Sequence, residues 1–225
     1  MTHQRRTPHA LVKMAMMMAF SVTFALCLTA CGADLSDIEK LTAEQAVAQM
    51  SQADEITLRK ALFSWGDRWD VYAGDDVVAT IGGEALYLTD TYTMRSTNGE
   101  MICSEEEQLS FVTAKARKFD SAGGVNGWFD QEFTVFLTKI RILDEDSNVT
   151  GSVEQNLAWA LDADIKDADG NVAWHLSEDF LSFTDSSVIH LTRKEAADNV
   201  DVTDAVMVSA VLNELTETGA DSDGD

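Results

Sequence analysis

Cysteine, histidine, proline and positive charge are all scarce in this chain. Its 225 residues include three Cys, four His, one Pro and 16 basic residues against 39 acidic ones, for a net charge of −23. So few cysteines and histidines exclude a disulfide framework and a histidine-rich metal centre. The missing positive charge excludes nucleic-acid binding, which depends on displacing counterions from phosphates. It also excludes passive adsorption to anionic membranes. No apolar run reaches the ~20 residues that a membrane-spanning helix needs. The chain has no G-x-S-x-G elbow, H-E-x-x-H pair, phosphate-binding P-loop or G-x-G-x-x-G turn. No catalytic residue, cofactor or metal site is therefore assigned. What remains is 45% hydrophobic content, enough for a real core and too much for wholesale disorder.

The first 30 residues read as an address. They contain no Asp or Glu, and Arg5, Arg6 and Lys13 precede an apolar run from Met14 to Leu28. Small residues follow in Leu28-Thr29-Ala30-Cys31-Gly32, giving the three-part anatomy of a secretory signal. The last of these segments resembles a bacterial lipobox. The resemblance implies cleavage before Cys31, which becomes a diacylglycerol-modified N-terminus. An ordinary secreted protein with a chance cysteine is the alternative, but Leu28 suits ordinary cleavage poorly. Two acyl chains suffice for stable anchoring where one does not. The expected location is the extracytoplasmic face of the cell membrane or outer membrane. Removal of residues 1–30 leaves 39 acidic and 13 basic residues, a net charge of −26.

Residues 31–54 read as a tether containing a short helix. Thr42 is its expected cap, and Ala46, Val47 and Met50 share one face. Strand alternation begins near residue 55. Trp69, Val71 and Ala73 alternate, then turn through Gly74-Asp75-Asp76 to Val77, Ala79 and Ile81. Tyr92 and Met94 turn through Asn98-Gly99 to Met101 and Cys103. Leu161, Ala163 and Ile165 turn through Asp169-Gly170 to Val172, Trp174 and Leu176. Asn-Gly and Asp-Gly predict two-residue type I′ hairpins. Further strands are expected at 133–153 and 187–193, making a meander of ten or more strands. Residues 203–215 read as a helix with no polar face over two turns, so it should be buried. Thirteen residues are too short to cross a bilayer, which leaves the inside of a barrel. Residues 217–225 read as a disordered acidic tail.

These hairpin units and the apolar terminal helix resemble the tubby C-terminal-like superfamily, which includes the phospholipid scramblases and the LURP-one-related proteins. The units that carry the resemblance are Trp69-Asp70-Val71-Tyr72 with Val77-Val78-Ala79, Tyr92-Thr93-Met94 with Asn98 to Ile102, and Ala163-Asp164-Ile165 with Asp169 to Ala173. The resemblance implies a mainly β fold over 55–216, an antiparallel closed β-barrel of about twelve strands around a buried C-terminal helix. An unrelated barrel or sandwich is the alternative. The resemblance brings no enzyme mechanism, but tubby itself binds phosphoinositide headgroups through basic strand residues. The matching feature here is Lys115-Ala116-Arg117-Lys118, so Lys115, Arg117 and Lys118 are the candidate headgroup- or anion-binding residues. The competing reading is a solvated or edge-guarding charge run.

Asp164, Asp167 and Asp169 before Gly170 invite a calcium loop, but Ile165 and Leu176 occupy slots that need oxygen ligands. A polar turn explains them better. Trp128 and Phe129 are expected in a loop beside Gly123, Gly124 and Gly127, with their rings buried. Three functions stay open. The leading one is a non-enzymatic binding or scaffold protein with an unidentified protein or lipid ligand. The others are a lipid-handling protein and a hydrolase whose site is assembled from distant residues.

Overall fold

The computed structural model describes residues 38–61, 68–86, 89–108, 114–133, 137–156, 162–179 and 187–220. Residues 1–37, which include the expected signal segment and Cys31, and residues 221–225 lie outside them. Helix α1 (Ala43–Gln52) leads into twelve strands. These are β1 (Glu55–Lys60), β2 (Arg68–Ala73), β3 (Asp76–Leu86), β4 (Thr89–Ser96), β5 (Met101–Gln108) and β6 (Ala114–Phe119), followed by β7 (Val125–Phe133), β8 (Leu137–Asp144), β9 (Val149–Asn156), β10 (Asp162–Asp167), β11 (Val172–Asp179) and β12 (Val188–Arg193). A 3-10 turn (Ala197–Asn199) and helix α2 (Val202–Ala220) complete the chain.

Every strand pairs antiparallel with its sequence neighbours, and β1 pairs with β12, so the sheet closes into a barrel. Closure satisfies the edge strands, which otherwise present unpaired N–H and C=O groups to other chains. Alternation places Ile56, Leu58, Trp69, Val71, Ile140, Ile142, Ile165, Trp174, Leu176, Ile189 and Leu191 in one continuous core. Val78 is buried beside Ala79. The β2–β3 register shifts between Val71 and Tyr72, so strict alternation from Val77 fails there.

Helix α2 fills the lumen. Every residue from Asp204 to Ala210 is buried. At 3.6 residues per turn, such a run faces every direction, so protein must surround the helix. Asp201 caps it, its carboxylate accepting from the Thr203 N–H at 2.8 Å and the Thr203 hydroxyl at 2.6 Å. Ser209 is satisfied within the helix by donating to the Ala205 carbonyl. The helix runs to Ala220, beyond the expected end at 215 and through the start of the expected tail. No proline stops it.

Four hairpins at one end of the barrel share a single design. Turns begin at Ser96, Asp120, Asp144 and Asp167, in steps of 24, 24 and 23 residues, each closed by paired backbone bonds around a three-residue loop. The last loop residue takes positive φ, as at Gly99 (93°), Ser147 (67°) and Gly170 (85°). This is a type I turn with a G1 bulge rather than the expected two-residue I′ turn, because Asn98 and Asp169 keep negative φ. The leading aspartates staple the loops. Asp167 accepts from the Asp169 and Asn171 N–H groups at 3.0 and 2.8 Å and from the Asn199 amide at 2.8 Å. These bonds hold its carboxyl below the ordinary range, the Asn199 bond contributing most.

Helix α1 closes the same end. Thr42 and Gln45 form a reciprocal capping box. The Leu41 N–H donates to Thr97 at 2.8 Å and the Ala43 N–H to Glu100 at 2.9 Å, fixing the helix to the β4–β5 turn. Ala46 and Met50 are fully buried in the barrel's core. This stretch was expected as tether, but an apolar helical face next to a core docks rather than hangs free.

Candidate functional site

The basic run lies on β6, and the period-two alternation of a strand divides it. Lys115 and Arg117 face outward. Across from Arg117 on β7 stands Trp128, half-buried, with Lys115 Nζ 4.6 Å and Arg117 Cζ 5.3 Å from its ring centroid. Such cation–π contacts contribute ~0.5–1 kcal/mol at exposed sites. Carboxylates flank the cations in register. Lys115 stands opposite Asp130, which accepts from Arg141 at 2.6 Å, and Arg117 stands opposite Glu106. The patch is therefore an aromatic surface edged by two cations, with its positive charge partly offset.

Lys118 does not belong to that surface. It is buried at 7% exposure, and its Nζ donates to the Asp204 carboxylate of α2 at 2.6 Å. The Phe129 ring lies 5.4 Å away. One residue along a strand reverses the face, so Lys118 points into the lumen while Arg117 points out. Of the three candidate residues, the structure brings Lys115 and Arg117 together and sends Lys118 elsewhere. Trp128 and Phe129, expected in a loop, lie in β7. Phe129 is buried as expected and Trp128 only partly. Gly127 allows this strand its close approach to β8, because a Cβ there would sit 2.1 Å from the Leu143 carbonyl oxygen.

The lumen around Lys118 holds a second cluster. Glu105, buried at 3% exposure, faces Lys118 directly across the β5–β6 pair. Burial pushes the Asp204 carboxyl up, and Lys118 opposes that shift. Cys103, two residues from Glu105, has its thiol pushed far up, chiefly by burial and then by the Asp204 and Glu105 charges. A thiol held protonated is a poor nucleophile, so Cys103 serves as packing. Sequence reasoning missed Glu105 and Asp204. The available signal was a lone acid in the first turn of an all-apolar helix, which needs a partner once buried.

A third group decorates the outside of β10–β12 and β1. His190 contacts Glu55 through Nδ1 at 3.1 Å and Asp179 through Nε2 at 3.3 Å. His175 contacts Asp164 through Nδ1 at 2.9 Å. Each ring nitrogen meets a different carboxylate, so donors do not converge. Among the described residues no group of three or more His, Cys, Asp or Glu is placed to hold a metal ion. Asp167, considered above for calcium, spends its oxygens on its own turn and on the Asn199 amide. Among the described residues no helix is long and apolar enough to cross a membrane. No family model, curated protein or solved structure matches this chain.

Proposed function

We propose that this protein is a lipid-anchored, extracytoplasmic bacterial lipoprotein that acts as a non-enzymatic binding or scaffold domain. The observation that carries the binding-domain part is the occupied lumen. Residues 204–210 of α2 are buried on all sides, so the place where a barrel otherwise holds a ligand is taken by the chain itself. Recognition then falls to the outer wall and the ends. The membrane part rests on the charged start, the apolar run and Leu28-Thr29-Ala30-Cys31. The helix-filled barrel accords with the architecture implied by the tubby C-terminal-like resemblance. Fractionation tests the anchor: the wild-type chain sediments with membranes and Cys31→Ser moves to the soluble fraction. A Cys31→Ser chain that stays in the membrane fraction refutes the anchor.

A second reading, binding of a lipid headgroup or another anion, is favoured by one observation. Lys115 and Arg117 hold Trp128 between them on the outer wall, and that combination suits an anionic, interfacial ligand. Lys118 has no part in it. Co-sedimentation with phosphatidylglycerol-containing vesicles should weaken in Lys115→Glu/Arg117→Glu. Equal retention of both chains counts against this reading and leaves the anchor untouched.

A further inference from the structure

We propose that Lys118 and Asp204 join in an intramolecular amide that covalently fixes the central helix to the barrel wall. Their side chains already form a buried contact, Nζ to Oδ2 at 2.6 Å, with 9% and 12% side-chain exposure. A nitrogen hydrogen-bonded to one carboxyl oxygen lies within reach of the carbon that bears it, and a fixed geometry of this kind replaces a bimolecular encounter.

The surroundings supply the remaining requirements. Amide formation needs the amine nitrogen held against a carboxyl carbon that can lose its hydroxyl, and the buried contact places the two groups together. Burial raises Asp204 toward its acid form. The Phe129 ring packs beside the amine, 5.4 Å from Nζ. Glu105 supplies the proton transfer. It is buried and directly opposite Lys118 in register, and opposed residues have Cβ atoms ~4.5–5.5 Å apart.

The step balances without a co-reactant. The Nζ lone pair attacks Cγ of Asp204 and forms the C–N bond. Glu105 accepts a proton from Nζ and returns it to the departing hydroxyl oxygen, so one C–O bond breaks and one water leaves. Nothing is oxidised or reduced. The product carries no charge, which removes the cost of keeping an ion pair in the lumen. It closes a covalent loop containing β7 to β12, so that α2 cannot leave the barrel while the wall stands.

Peptide mapping of the purified full-length chain, denatured and digested with trypsin, tests this directly. The expected result is a branched peptide joining the segments around Lys118 and Asp204, lighter by one water than the two separate peptides. Cleavage after Lys118 should be lost. Recovery of the two separate peptides alone, with cleavage after Lys118, shows an ion pair only and overturns the proposal. Lys118→Arg and Asp204→Ala should contain no branched peptide, whereas Asp204→Asn should form the same amide by expelling ammonia. Glu105→Gln should slow formation tenfold or more, since positioned acid–base groups contribute ~10²–10⁴-fold. An unchanged rate in a folded Glu105→Gln chain removes Glu105 from the step. The wild-type map decides the bond even if every variant fails to fold.

Discussion

Val208 lies near the middle of the buried run of α2, at 1% exposure. Replacing it with Asp tests whether the helix really occupies the lumen. The substitution removes an apolar side chain whose burial contributes ~1.5–3 kcal/mol. It also inserts a carboxyl into the buried hydrophobic core to which Val208 belongs. Even as the neutral acid, an unpaired buried hydroxyl costs ~1–3 kcal/mol by protein mutational scales. The sum is about 2.5–6 kcal/mol, a large fraction of the ~5–15 kcal/mol that holds a typical domain together. For a domain of this size each kcal/mol moves Tm by ~2–4 °C. Tm followed by far-UV circular dichroism should therefore fall by about 5–24 °C, or the chain should not fold. Val125→Asp is the matched control, because Val125 is 43% exposed and should move stability by no more than ~0.5 kcal/mol. If Val208→Asp melts alongside that control, the helix is not in the lumen.

The docked helix α1 and the turn staples give two further expectations. Met50→Ala should cost about 2–5 kcal/mol by urea denaturation, since Met50 is fully buried; a loss below about 0.5 kcal/mol would mean that α1 hangs free. Asp167→Ala should lower Tm at neutral pH, because four amide N–H groups lose their acceptor. Its carboxyl is held below the unfolded value. Its contribution is therefore fully present above about pH 4 and disappears as pH falls through the folded value. The Tm gap between wild type and Asp167→Ala should narrow as pH drops from about 7 to about 3, and a constant gap contradicts the assignment.

The barrel was legible because alternation and turn residues recur along the whole chain, and because 204–212 has no polar face. Trp69, Val71, Met94, Ile165, Trp174 and Leu176 all face the core as the period-two pattern predicts. The turn type was not legible. Asn98-Gly99 and Asp169-Gly170 fit a two-residue hairpin locally, and only the pairing of the flanking strands fixes the loop at three residues. The docking of α1 was hidden for a similar reason: Ala46, Val47 and Met50 make an apolar face but name no partner. Lys118 shows the limit most clearly. In a row of basic residues it looks like its neighbours, and only strand alternation together with Asp204, 86 residues away in sequence, turns it into a lumen residue.

The proposed lipid anchor rests on the N-terminus. Its most direct test is the mass of the N-terminal peptide from membrane-purified protein. The account predicts a peptide that begins at Cys31 and carries a diacylglycerol thioether. A peptide that retains residues 1–30, or begins at Cys31 with an unmodified thiol, contradicts it.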